Sequence, residues 1–309
     1  MAEATFVIDD RSFIEELTHN ENGTKTQVEF SRYLTFIESI SDTIASEKYG
    51  DIYTPESIFQ EKINGKEIYK ILGLPAGANR DVYLRAFTLF RRFKTYVTEE
   101  HLDLSVYASD NEYASSSFIQ NRNCGFISIR NVETAEWWDK SRHTLVSNKL
   151  SALCSYRKNI YNNNQSYADV KTYSEKLWPN CYFHRTAARF NQFQIPEVAF
   201  LPIALRHLDY LNDYTHSHFP LGGEQFTAEA NKFDVTLSPE SPKTRSSTSK
   251  MNQRKIKINS KDITCEWHSK LDHSAGRIHF HSGLNLSSDI TEVTKDKVII
   301  GKFVKHLNT

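Results

Sequence analysis

The chain has 309 residues, 39% of them hydrophobic and 25% charged, including 19 Phe, 15 Tyr and 4 Trp. That load of core-forming side chains excludes wholesale disorder, and no apolar run approaches the roughly 20 residues of a membrane span. The net charge of zero hides a split: residues 230–309 carry 14 Lys plus Arg against 8 Asp plus Glu, and 8 of the 12 histidines lie at or after His207.

Residues 1–225 read as an α-rich regulatory or interaction region. The segment Met1 to Asp10 is acidic and lacks the basic start of a secretory signal. Val28, Tyr33, Ile37, Ile40 and Ile44 recur at helical spacing, and Thr54-Pro55-Glu56-Ser57 is a helix start signal. Asp81 to Val97 places Val82, Ala86, Leu89 and Phe93 on one helical face. A polar break follows from Asp103 to Asn123, and Gly125 to Ile129 is a short candidate strand. Helical patterning returns at Glu133 to Tyr156 and at Glu197 to Tyr214, with Asn162 to Gln165 a polar loop tip between them. The cysteines Cys124, Cys154, Cys181 and Cys265 form no CxxC pair, so reduced thiols and a cytoplasmic location are expected.

Gly222-Gly223 marks the expected boundary, and residues 226–309 read as a small antiparallel β-sheet domain. Ser238 to Lys250 is a loop by composition. Arg254 to Ile258, Asp262 to Lys270, Arg277 to His281 and Lys297 to Val304 then alternate with the period of strands. The fold class expected of the whole is α+β, an α-rich N-terminal region followed by this sheet.

The chemistry concentrates on two of those strands. Alternation turns Ile263, Cys265, Trp267 and Ser269 inward and puts Glu266, His268 and Lys270 on the other face. The next strand turns Ile278 inward with Phe280, and Arg277, His279 and His281 outward. A hairpin between them gathers all six ionisable groups on one face. Metal-free cleavage of an RNA phosphodiester needs a base, an acid and cations on the phosphoryl oxygens. His and Glu supply the first two, and Arg and Lys the third. Lys243, Arg245, Lys250, Arg254 and Lys302 are the expected RNA-binding cations, and this route needs no metal and no cofactor. A second reading uses Glu266, His268, His279 and His281 as ligands for iron, zinc or manganese. A third makes the chain a non-catalytic RNA-binding or regulatory subunit. No GxxxxGK[ST], GxGxxG or GxSxG motif occurs, which removes the common nucleotide loops and the serine-hydrolase elbow. His184 and Arg185 read as packing residues.

Ser238-Pro239-Glu240-Ser241, Cys265 to Lys270, Arg277 to His281 and Gly301 to Leu307 resemble the tail of uncharacterised bacterial proteins associated with phage defence or toxin systems. The β domain also looks like the sheets of RelE-type ribonuclease toxins. The resemblance implies a metal-independent endoribonuclease acting as a toxin or effector in antiviral defence. RNA, and an antitoxin or another defence-system protein, are the partners it implies, with no membrane.

Overall fold

A computed structural model describes residues 3–73, 80–97, 114–119 and 122–307, in two compact units, Met1–Asn163 and Asn164–Thr309. Helices and strands both contribute to the fold. The expected boundary at Gly222-Gly223 falls inside the second unit, and most of the expected break at Asp103 to Asn123 lies outside the described residues. Among the described residues, no helix is long and apolar enough to cross a membrane.

The first unit is built on a sheet that the helical patterning concealed. Strands β1 (Ala4–Ile8), β2 (Gly50–Pro55), β3 (Lys94–Tyr96), β4 (Cys124–Ile127) and β5 (His143–Val146) lie in the order β3-β2-β1-β4-β5. All four pairings are parallel. Parallel sheets are covered on both faces, so their strands are short continuous apolar runs without alternation. Phe6, Val7, Ile8, Phe126 and Ile127 are accordingly all but inaccessible. Gly125 is required by a close approach: a Cβ there would stand 2.5 Å from the Phe6 ring.

Helix α1 (Asp10–Glu21) starts where β1 ends, with Asp9 as its N-cap accepting from the Ser12 amide. Arg130 donates to both Asp9 carboxylate oxygens at 2.8 Å, which ties the end of β1 to the loop after β4. Helix α2 (Gln27–Ser46) opens with a Thr26–Glu29 capping box and buries Tyr33, Ile37, Ile40 and Ile44 of the expected series, while Val28 in its first turn is exposed. Helix α3 (Arg80–Phe90) buries Val82, Ala86 and Leu89, but Asp81 to Val97 is not one helix: Phe93 is buried in the turn beyond Phe90, and Lys94–Tyr96 are β3.

Two further expectations need correction here. Thr54 and Pro55 finish β2, and only a 3₁₀ turn, Glu56–Phe59, follows. Glu133 to Tyr156 is not one helix: turns and β5 occupy its first part, and helix α4 (Lys149–Asn163) begins only at Lys149.

In the second unit, β6 (Cys181–Phe183), β7 (Thr236–Pro239), β10 (Trp267–Lys270), β11 (Arg277–His281) and β12 (Val298–Val304) form a sheet ordered β6-β12-β11-β10-β7. Its pairings are antiparallel except for β12 with β6, so the sheet is mixed. Strands β8 (Lys255–Ile258) and β9 (Lys261–Thr264) make a separate hairpin. Asn259 and Ser260 turn it, both at positive φ, as a two-residue hairpin loop demands.

The expected strand Asp262 to Lys270 is therefore two strands in two sheets, broken at Cys265-Glu266. The backbone leaves the hairpin there because the Cys265 amide donates to the Arg254 carbonyl, while the Glu266 carbonyl accepts from Glu240. Helix α6 (Gly223–Asn231) precedes β7, and the expected loop Ser238 to Lys250 holds the end of β7 and two short helices, α7 (Pro242–Arg245) and α8 (Thr248–Asn252), which Ser241 and Ser247 cap.

Helix α5 (Glu197–His218) lies on the sheet face that carries Ser269, where His207 Nδ1 meets the Ser269 hydroxyl. On the opposite face, Lys302 of β12 donates to the Gln253 carbonyl. Both faces are covered. The face read as outward is therefore no solvated surface: Arg277 is 4% exposed and His279 2%.

Candidate metal centre in the C-terminal sheet

Strands β10 and β11 do pair as an antiparallel hairpin, with His268 opposite His279 and Lys270 opposite Arg277. The two imidazoles share a face, their ring centroids 5.2 Å apart. The same cross-strand row continues to Ser238 of β7 on one side and Lys302 of β12 on the other. Gly301 beside that row has no room for a side chain, because a Cβ would stand 2.3 Å from Cys265 Sγ.

The carboxylate that joins the histidines is Glu240, immediately after β7. Its Oε1 lies 3.6 Å from His268 Nδ1 and 3.7 Å from His279 Nδ1. One ligand atom from each of the three residues falls within 4.8 Å of the others. All three atoms are buried and none makes a well-directed hydrogen bond, although Glu240 Oε1 has the Arg254 Nε as an ion-pair partner at 2.9 Å. The other side of each ring is engaged. His268 Nε2 is 3.0 Å from Ser238 Oγ, and His279 meets the Cys265 backbone carbonyl. A carbonyl only accepts, so His279 donates there and keeps a lone pair on Nδ1.

Arg254 holds Glu240 from behind. Its Nη2 donates to Glu240 Oε2 at 3.1 Å and its Nη1 to the Lys250 carbonyl at 2.9 Å, with Nε 2.9 Å from Oε1. Burial pushes the Glu240 carboxyl up, but His268 and the Arg254 cation outweigh it and bring it to about 2. Burial, reinforced by His268 and Arg254, takes His279 down to about 3. Glu240 is thus ionised and His279 neutral at pH 7, the protonation states that metal ligands need.

The remaining expected site residues are dispersed. Glu266 is half exposed and 3.5 Å from Arg245. Lys270 sits partly buried at the far end of the hairpin. Arg277 closes its loop, with Nη1 donating to the carbonyls of Asp272, Ala275 and Gly276 and Nη2 to that of His273. His281 accepts from the Gly283 amide at 3.0 Å.

Of the expected RNA-binding cations, Lys243 and Arg245 are exposed on α7 and Lys250 is partly buried on α8. Arg254 is 1% exposed and committed to Glu240. Lys302 donates to the Gln253 carbonyl at 2.5 Å, and burial lowers its amine from the ordinary lysine value.

Glu240 escaped the alternation argument because it comes from a third strand. One signal marks it in the sequence: it is the only carboxylate between Asp234 and Asp262, a stretch crowded with Lys and Arg. No family model, curated protein or solved structure matches the chain.

Proposed function

We propose that the chain is a divalent-metal-dependent hydrolase of RNA phosphodiesters, its ion held by Glu240, His268 and His279. The observation that carries this reading is the convergence of three buried ligand atoms within 4.8 Å of one another, with neither imidazole Nδ1 hydrogen-bonded. His279 Nδ1 and Glu240 Oε1 are both acceptors 3.7 Å apart, and a cation between them relieves their repulsion. Ligand bonds of about 2.1 Å put neighbouring donors about 3.0–3.4 Å apart, so a small contraction completes the site. Two imidazoles and one carboxylate suit zinc, iron(II) or manganese better than magnesium. The Arg254 charge works in the same direction, since it lowers the affinity for ions that rely on charge alone.

Glu240, His268 and His279 would hold the ion, which would supply Lewis acidity and make a water more acidic. The protein's own groups fix the geometry. Ser238 and the Cys265 carbonyl orient the two rings, and Arg254 holds Glu240 so that Oε1 faces them. Lys243 and Arg245, exposed on the helix just after Glu240, are placed to hold flanking phosphates. The basic balance of residues 230–309 supports a polyanionic substrate.

The test is metal analysis of the full chain, followed by RNA cleavage with chelator and with each ion restored. About one transition ion per chain is expected, lost in Glu240→Ala and His279→Ala, with cleavage abolished by EDTA. Cleavage that persists in EDTA would return the reading to a metal-free ribonuclease. A chain that binds no transition ion refutes the centre.

A further inference from the structure

The second unit holds a cavity of about 340 Å³ at the ends of β10 and β11, walled by Phe219, Trp267 and Phe280 and carrying Asp262, Glu266 and His281. Its size suits one small ring system, and aromatic walls with a few polar groups are the usual composition of a ligand pocket. Two of its polar groups are carboxylates, which only accept when ionised. A third is a donor: the Gly283 amide donates to His281 Nδ1, so the neutral ring carries its proton on Nε2, and Thr264 and Ser282 also line the cavity. Among the residues lining the cavity there is no Lys or Arg.

Cations stand just outside. Arg245 Nη2 is 3.5 Å from Glu266 Oε2, and Lys255 Nζ is 3.6 Å from Asp262 Oδ2. Both pairs are half exposed and longer than a hydrogen bond, so they hold the carboxylates weakly. A free organic cation entering the cavity would meet both of these charges. The complementary ligand has a flat apolar face, an edge with several donors and one acceptor, and an anion near the mouth.

We infer that this cavity receives a guanine base of single-stranded RNA, with Glu266 and Asp262 accepting from its N1–H and N2 amino group and His281 donating to O6. Adenine, cytosine and uracil each offer fewer donors on that edge. Stacking against aromatic side chains and reading of the Watson–Crick edge is how unpaired bases are recognised, and Arg245 and Lys255 then face the phosphate. The inference rests on RNA as the substrate and names the base that the site selects.

The experiment keeps the base pocket separate from the metal centre. GMP, AMP, CMP, UMP and agmatine are titrated into the full chain in EDTA, followed by calorimetry and tryptophan fluorescence. GMP is expected to bind at least roughly tenfold tighter than the other three nucleotides. Glu266→Gln, a change at a half-exposed residue that leaves packing intact, is expected to remove that preference, and Trp267→Phe to remove the fluorescence response. Equal affinity for all four nucleotides, tighter binding of agmatine, or a guanine preference unchanged in Glu266→Gln would each overturn the proposal. Metal content is read on the same samples, so loss of guanine binding with the ion retained condemns only the pocket.

Discussion

Arg254 and Glu240 have side chains 1% and 3% exposed, and each is the other's charge partner. Removing one member of such a pair strands the other in a medium that solvates it poorly. Glu240→Gln is therefore expected to destabilise the second unit by about 3–5 kcal/mol, measured by urea unfolding with EDTA in both samples. Arg277 presents a different case. The alternation suggests a cation for the phosphoryl oxygens, yet the Arg277 guanidinium serves four carbonyls of its own hairpin loop. Arg277→Ala is expected to cost about 1–3 kcal/mol, and an unchanged urea midpoint would contradict that role. At this scale the two histidines were legible, because period-two alternation and a short connection force His268 and His279 together. Glu240 was not, because its place depends on which distant strand joins the hairpin.

Among elements, helix α2 of the first unit was legible, and of its sheet only β4 was marked, by the candidate strand Gly125 to Ile129. An amphipathic helix such as α2 advertises itself by spacing, whereas β1 is five mostly apolar residues with no period to read. In the second unit, the alternation from Asp262 to Lys270 continues in phase across Cys265-Glu266 while the chain changes sheets, so the pattern alone hides the break. The junction of β1 and α1 has its own chemistry. Burial raises the Asp10 carboxyl from 3.8 to about 7, against the opposing bond from Ser115. The folded chain thus retains a proton that the unfolded chain releases near pH 4. This group's contribution to stability is full below that pH and is lost as pH rises through about 7. Asp10→Asn is expected to flatten the decline and to raise the melting temperature above pH 7.5. A variant with the wild-type pH slope would exclude Asp10 as its source.

On the scale of the whole molecule, the second unit responds to pH in the opposite sense. Burial takes His207 from 6.5 down to about 3, with Arg206 adding to the effect. Its neutral ring supports stability fully above pH 6.5, and that support is lost as pH falls toward 3. Acid thus favours the Asp10 contribution in one unit and opposes the His207 contribution in the other. Calorimetry at pH 5 and pH 8 is expected to show the larger Asp10→Asn effect at pH 8, because the decline starts near pH 4 and is complete only above about 7. A His207→Gln variant is expected to lessen the acid sensitivity of the wild type, and equal acid sensitivity in both chains would contradict it. If the chain acts as a toxin-type effector, growth arrest on expression should disappear in His279→Ala at equal protein level. Arrest that persists would separate toxicity from this centre.

Strand β7 lies at the edge of its sheet and delivers Glu240 as it joins β10. The β10–β11 hairpin closes over a short loop, whereas docking β7 closes a longer one and so carries the larger entropic delay. In kinetic terms, the histidine pair forms first and the third ligand arrives with the edge strand. Ion capture during refolding is thus expected to lag hairpin formation, and the bound metal becomes a clock for edge closure. Stopped-flow refolding with a chromophoric zinc indicator would read that interval directly, and capture concurrent with hairpin formation would mean that β7 docks as early as the hairpin itself.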